Sequence, residues 1–150
     1  MFSVFDGIEK VRLSNSEGHN YFEEGNYTVQ IDSVFLKKKL MSNDTFFIVE
    51  TTVKASGNNN CSGEQRNWVI NLSNFSALKR IKYFLAACAG LSVKLNERQI
   101  DERITSAYCE SAVAPSNPLK GKIVNLNCEK RISKNDKEYL EYQWEPASAI

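Results

Sequence analysis

An all-β domain with added helices is the fold class this sequence predicts, and three observations predict it. Several short segments alternate apolar and polar residues with a period of two, the mark of half-buried strands. Three such segments run consecutively before any helical period appears, which excludes a strictly alternating βαβ chain. One stretch, SALKRIKYFLAACAG, switches to apolar spacings of three and four, and only an amphipathic helix produces that. The 150 residues, 42% hydrophobic and 25% charged, suit one globular domain with a core that needs no disulfide staples.

The elements follow in order. Residues 1–24 set Asp6, Glu9, Glu17, Glu23 and Glu24 against Lys10 and Arg12 without a clear period; they read as an acidic N-terminal extension. In GNYTVQIDSVFL, Tyr27, Val29 and Ile31 alternate with Thr28, Gln30 and Asp32. A basic loop, KKKLMSND, separates this strand from TFFIVETTVKAS. There Phe47, Val49, Thr51 and Val53 share one face, and Phe46, Ile48, Glu50 and Thr52 the other. The turn-rich SGNNNCSG leads to RNWVINL, with Trp68, Ile70 and Leu72 on one face.

The helix that follows carries Leu78, Ile81, Leu85 and Cys88 as its apolar stripe, with Ser76 placed to cap it and Gly90 to end it. Lys79, Arg80 and Tyr83 lie on its polar side. A second helix is predicted over Glu97–Ala112, with Asn96 as cap and Ile100, Ile104 and Ala107 buried. It makes 91–118 a helical insertion that ends in the APSNP turn. Two strands complete the chain: GKIVNLNCEK, with Val124, Leu126 and Cys128 on one face, and EYLEYQWEP, with Leu140, Tyr142 and Trp144.

Five strands with a helix between the third and fourth is the arrangement of an OB-fold barrel. One such domain is therefore expected over 1–150. Asn26–Trp144 would form the barrel, and the Ser76–Gly90 helix would cross one end. Leu78, Ile81, Leu85, Val29, Val49, Leu126 and Trp144 would be buried. A plain antiparallel sheet with helices on one face is the alternative.

Bulk charge, 19 basic against 18 acidic residues, announces no polyanion partner; only local charge can do so. In an OB-fold the ligand groove is flanked by the first-to-second and fourth-to-fifth strand loops. Here the first contains Lys37, Lys38 and Lys39, opposed by Asp44. The second contains Arg131, Lys134 and Lys137, opposed by Asp136 and Glu138. A neutral chain thus places basic clusters where phosphates would be met. Single-strand binding also needs flat side chains for bases to stack on. Phe46, opposite the core residue Phe47, and Tyr139, opposite Tyr142, are the candidates. Arg66 is a phosphate or stacking contact. Trp68, Tyr142 and Trp144 read as core.

The same segments, taken together, resemble a family. GNYTVQIDSV, FFIVETTVKAS, NWVINL, ALKRIKYFLAACAG, PLKGKIVNLNCEK and YLEYQWEP occur in an order similar to that of small phage OB-fold single-stranded-DNA-binding proteins of replication and recombination. The likeness runs from FDG near the N-terminus to Trp144. It implies largely sequence-independent binding of single-stranded DNA, replication or recombination proteins as partners, and no cofactor; an oligomer is compatible with it. Many such proteins recruit partners through an acidic tail, whereas this chain ends EPASAI.

No phosphate-binding Gly loop, nucleophile elbow or paired-cysteine metal motif is present. No catalytic, cofactor or metal residue is therefore assigned. The one enzyme reading these residues permit is a metal-dependent nuclease built on Asp32, Glu50 and Lys54. Cys61, Cys88, Cys109 and Cys128 form no C-x-x-C pair, and the lone His19 has no cysteine beside it; free thiols in a reducing compartment are expected. No apolar run approaches a membrane span and no secretory signal is visible, so the cytoplasm of the cell, or of a host cell, is the expected setting. The competing non-enzyme reading is an OB module that binds or inhibits a protein partner.

Overall fold

The computed structural model describes residues 21–57 and 62–147. Strands β1 (Gly25–Lys38), β2 (Thr45–Ser56) and β3 (Gln65–Asn71) precede helices α1 (Ala77–Cys88), α2 (Glu97–Arg103) and α3 (Ser106–Ala112). Strands β4 (Ile123–Ile132) and β5 (Glu138–Pro146) follow. The strands form one antiparallel sheet in the order β3-β2-β1-β4-β5. Among the described residues the protein is thus mainly β, as its periodicities predict, with three helices where two were expected.

The expected closed barrel is not formed. β3 and β5 are the two edges of an open sheet, and among the described residues no ladder joins them. Side chains meet across that seam instead. Trp68 of β3 packs on Trp144 and Tyr142 of β5, with ring centroids 5.4 and 6.0 Å apart. The chain entering β1 lies here as well: Tyr21 makes a parallel bridge to Asn67 on β3. The next residue, Phe22, sets its ring edge-on to Tyr27, Tyr142 and Trp144. Among the described residues the core therefore begins at Phe22, within the stretch expected to be an extension. The rest of that stretch, 1–20, lies outside the described residues, as do His19 and Cys61.

The inner face of the sheet is covered by α1. Its buried stripe is Ala77, Ile81, Phe84, Leu85 and Cys88, and Phe84 reaches Phe47, Trp68 and Trp144 at centroid distances of 6.0, 5.6 and 4.8 Å. Turning Phe84 toward the sheet carries Leu78 off the interface. Leu78 is 74% exposed rather than buried, and it flanks α2 beside Lys82 and Ile100. The other residues expected to be buried, Ile81, Leu85, Val29, Val49, Leu126 and Trp144, are so.

Helix ends differ in detail. Gly90, at φ 81°, ends α1. Its N–H donates to Ala87 O at 3.0 Å and the Leu91 N–H to Ala86 O at 2.9 Å, the paired bonds of a Schellman stop. The Ser76 hydroxyl donates to Asn74 rather than capping α1. Asn96 accepts from the Ser92 N–H, also without capping its helix. The single helix expected over Glu97–Ala112 is two. The backbone turns at Ile104, and Thr105 Oγ1 accepts from the Tyr108 N–H to start α3 afresh. That turn exposes Ala107 and buries Ala112 in its place.

β1 is bent by a bulge at Asp32. Ile31 pairs with Thr51, but Ser33 pairs with Glu50, so Asp32 has no partner on β2. The bulge lies where β1 leaves β4, whose ladder with β1 ends at Gln30–Ile123. The Asp32 carbonyl is satisfied by the Asn117 side chain at 2.7 Å. Asn117 itself sits at φ 53°, a left-handed conformation that asparagine tolerates well.

Both roles can be measured. Replacing Phe84 by Ala should cost about 3–5 kcal/mol in a urea unfolding titration, as emptying a core aromatic site does. Asn117→Ala should cost about 1–3 kcal/mol by leaving the bulge carbonyl unpaired. A destabilisation below 0.5 kcal/mol in either variant (roughly the level of a neutral surface change) would contradict the assigned role.

Candidate nucleic-acid interface

The sheet has an inner face on α1 and an outer face turned away from it. The bulge at Asp32 decides which residues of β1 lie on which face. Before it Tyr27, Val29 and Ile31 point inward; after it Val34 does. Phe35 and Lys37 are therefore carried to the outer face. Cross-strand register then builds three rows there. Lys37 pairs with Phe46 and Phe46 with Asn71; Phe35 pairs with Ile48 and Ile48 with Val69; Ser33 pairs with Glu50 and Glu50 with Asn67. Partners in a row stand about 5 Å apart, within side-chain contact. Phe35, Phe46, Ile48 and Val69 are each half-buried, so an apolar patch with two rings lies beside Lys37.

Lys37 and Lys38 end β1, and Lys39 opens the loop. The Lys39 N–H donates to Asp44 O at 3.0 Å across the turn. The Asp44 carboxylate accepts from the Ser42 hydroxyl. No ion pair involves Lys37, Lys38 or Lys39 among the described residues. Leu40 and Met41 stand exposed at the tip.

The β4–β5 hairpin carries the second basic loop. Ser133 donates its N–H to Lys137 O at 2.9 Å, and its hydroxyl accepts from the N–H groups of Asn135 and Lys137. Lys134 and Lys137 are exposed. Arg131 is not free for phosphate: its guanidinium pairs with Glu141 at 2.6 Å and Glu129 at 3.2 Å. The Glu141 hydrogen bond and the two carboxylate charges raise its pKa further. Tyr139 lies directly across from Arg131 and is exposed.

Lys37, Phe46, Arg131 and Tyr139 thus share the outer face, but at opposite ends of it. β1 begins beside Cys128 and ends at Lys38, and β4 runs on beyond Cys128 to the hairpin. The two basic loops are not brought together. Arg66 is on the other face: it pairs with Thr51 in the inward register, and its guanidinium bonds to Glu64 and to Gln65 O.

Between the two ends, a groove of about 780 Å³ runs over the start of β1, β4 and β5. Asn26, Thr28, Asn125, Asn127 and Gln143 of the outer face line it together with Tyr27, Leu126, Tyr142 and Trp144 of the inner face, and Tyr83 of α1 and Lys94 stand at its wall. Sequence reasoning misses these amides, as well as Phe35 and Phe75. Alternation along the strands could have placed the amides on one face. Phe35 is hidden by the bulge. Phe75 is fully exposed on the β3–α1 turn, which is held by Asn71 accepting from the Ser73 N–H and Asn74 from the Ser76 N–H.

Asp32 accepts from the Thr52 hydroxyl, Glu50 from the Ser33 hydroxyl, and Lys54 is an exposed bulge residue of β2. No three His, Cys, Asp or Glu side chains converge among the described residues. No described helix is long and apolar enough to cross a membrane. Comparison with protein-family models and with curated proteins returns no match.

Cys88 and Cys128 are buried, free thiols, and burial pushes each from 9.0 up to about 12. Burial likewise raises Tyr142 from 10.0 to about 12. These groups favour the fold while neutral. Their contribution is complete below pH 9, where the unfolded thiols begin to ionise, and is lost as pH rises toward 12. Denaturant midpoints should fall across that window. At pH 8 a thiol reagent should leave Cys88 and Cys128 unlabelled in the folded protein and label both in urea. Native labelling of either at the rate of a free cysteine would contradict their burial.

Proposed function

We propose that this protein binds single-stranded nucleic acid, DNA in the first place, across the outer face of its sheet. The observation that carries the reading is the row Lys37–Phe46–Asn71 beside Phe35–Ile48–Val69. A cation next to flat apolar side chains on an exposed strand surface serves phosphate and base together. The strand order, with a helix after β3 and an open seam between β3 and β5, supports an OB-fold of the partly open kind. The resemblance to phage replication and recombination proteins gives the setting: a non-catalytic cytoplasmic protein that covers exposed strands. Lys37 and Phe46 form the principal contact on the face, with Lys38 and Lys39 beside them at the strand end and in the loop. Lys134, Lys137 and Tyr139 meet a strand long enough to reach the hairpin. Arg131, already paired with carboxylates, contributes less, and Arg66, on the inner face, takes no part in this surface.

A second reading has its own observation. Leu40, Met41, Phe75 and Leu78 are all exposed, and all lie in or beside the two connections that leave the same end of the sheet. An apolar cluster of this kind suits a protein partner.

Salt separates the two. Anisotropy titrations with labelled single strands should show affinity falling steeply as salt rises, and duplexes of equal length should bind more weakly. The triple change of Lys37, Lys38 and Lys39 to Ala should flatten the salt slope by about one unit for each phosphate left unneutralised. Phe46→Ala should cost about 1–3 kcal/mol and leave that slope nearly unchanged. Unchanged affinity in the triple variant would remove the assigned face. No binding of any oligonucleotide at low salt would leave the protein-binding reading in its place.

A further inference from the structure

We infer that the groove over β1, β4 and β5 takes an unpaired nucleobase edge-on, with Asn127 and Gln143 bonding to its Watson–Crick edge. This rests on the nucleic-acid reading and extends it from phosphates and ring faces to the polar edges of the bases.

The floor of the groove is two cross-strand rows. Asn26 pairs with Asn127 and Asn127 with Gln143; Thr28 pairs with Asn125 and Asn125 with Glu145. Hydrogen bonds within the rows set which amide atoms face outward. The Thr28 hydroxyl donates to Asn125 Oδ1 at 2.8 Å, leaving the Asn125 Nδ2 donor. Asn127 Nδ2 donates to Gln143 Oε1 at 3.2 Å. Asn127 Oδ1 and Gln143 Nε2 are then left as an acceptor beside a donor. That pair complements the edge of a base: N3–H and O4 of thymine, or the exocyclic N–H and N1 of adenine. In a duplex those atoms are already used, so the contact selects single strands.

Charge argues for a base here rather than a phosphate. Glu141 and Glu145 line the groove, with Lys94 as the cation among its lining residues. Glu145 also accepts from the Ser92 hydroxyl, and Glu141 is held by Arg131. With Glu141 compensated by Arg131, Glu145 and Lys94 leave the groove no excess of positive charge to attract a phosphodiester, whereas an uncharged base needs none. The Tyr83 ring on the wall, with the Lys79 ammonium 5.8 Å from its centroid, offers a flat neighbour. A volume of about 780 Å³ is ample for a nucleoside.

The test blocks base edges without altering rings or phosphates. Anisotropy titrations compare an oligothymidylate with the same strand carrying N3-methylthymine, and an oligoadenylate with one carrying N6,N6-dimethyladenine. Methylation should weaken binding to the unaltered protein by about fivefold or more, the discrimination a bidentate edge contact supplies. Gln143→Glu keeps the side-chain shape and turns the free donor into an acceptor. The affinity ratio of unmodified to methylated strand should then fall toward one, while the melting temperature stays that of the parent. If methylated strands bind the parent protein as tightly as unmodified ones, or if the Glu variant keeps the ratio, the edge contact is overturned and the phosphate and stacking contacts stand. If no unmodified strand binds at all, the nucleic-acid reading falls, and this inference falls with it.

Discussion

Phe84 stands between Phe47, Trp68 and Trp144, so one side chain of α1 touches β2, β3 and β5 together. A five-stranded open sheet has one apolar face that must be removed from water, and it has two edges. Helix α1 does the first by covering the inner face. Its ring also draws the two edge strands toward one centre, where Trp68 meets Trp144 and Tyr142 directly. Phe22 then fills the seam between them from outside the ladder. The curl of the sheet thus depends on aromatic packing where a closed barrel would use hydrogen bonds.

The bulge at Asp32 has the largest consequence for the candidate site. A strand repeats every two residues, so one unpaired residue moves everything after it to the opposite face. Past Asp32 this places Val34 in the core and sets Phe35 and Lys37 outside beside Phe46. The same residue marks where β1 parts from β4, with Asn117 bonding the carbonyl that the bulge leaves over. One backbone irregularity therefore bends the sheet and composes its outer patch.

The outer face divides its polar chemistry by position. Lysines without ion pairs among the described residues gather at the end of β1, rings and aliphatic groups lie next to them, and amides with two carboxylates occupy the groove. Such a division lets a chain of net charge +1 concentrate positive charge at one place on its surface. Two of the cations that sequence position singled out, Arg66 and Arg131, are paired with acids.

Five strands, the helix after the third and most of the core are legible in the residues alone. Period-two and period-3.6 burial patterns are local, and Val29, Val49, Ile81, Leu85, Leu126 and Trp144 obey them. Phe46 was legible for the same reason, since a residue's face follows from its neighbours' alternation; the lysine cluster was legible only as loop composition, because the bulge sets the face of Lys37. Arg131 and Arg66 were not, because their acid partners are set by strand pairing and turn geometry. Nor were Phe35, the exposure of Leu78 and Ala107, or the amide rows of the groove. Long-range packing and register set these. A bulge shifts the phase of a strand, a large ring fixes the rotation of a helix, and register across three strands brings together residues from opposite ends of the chain.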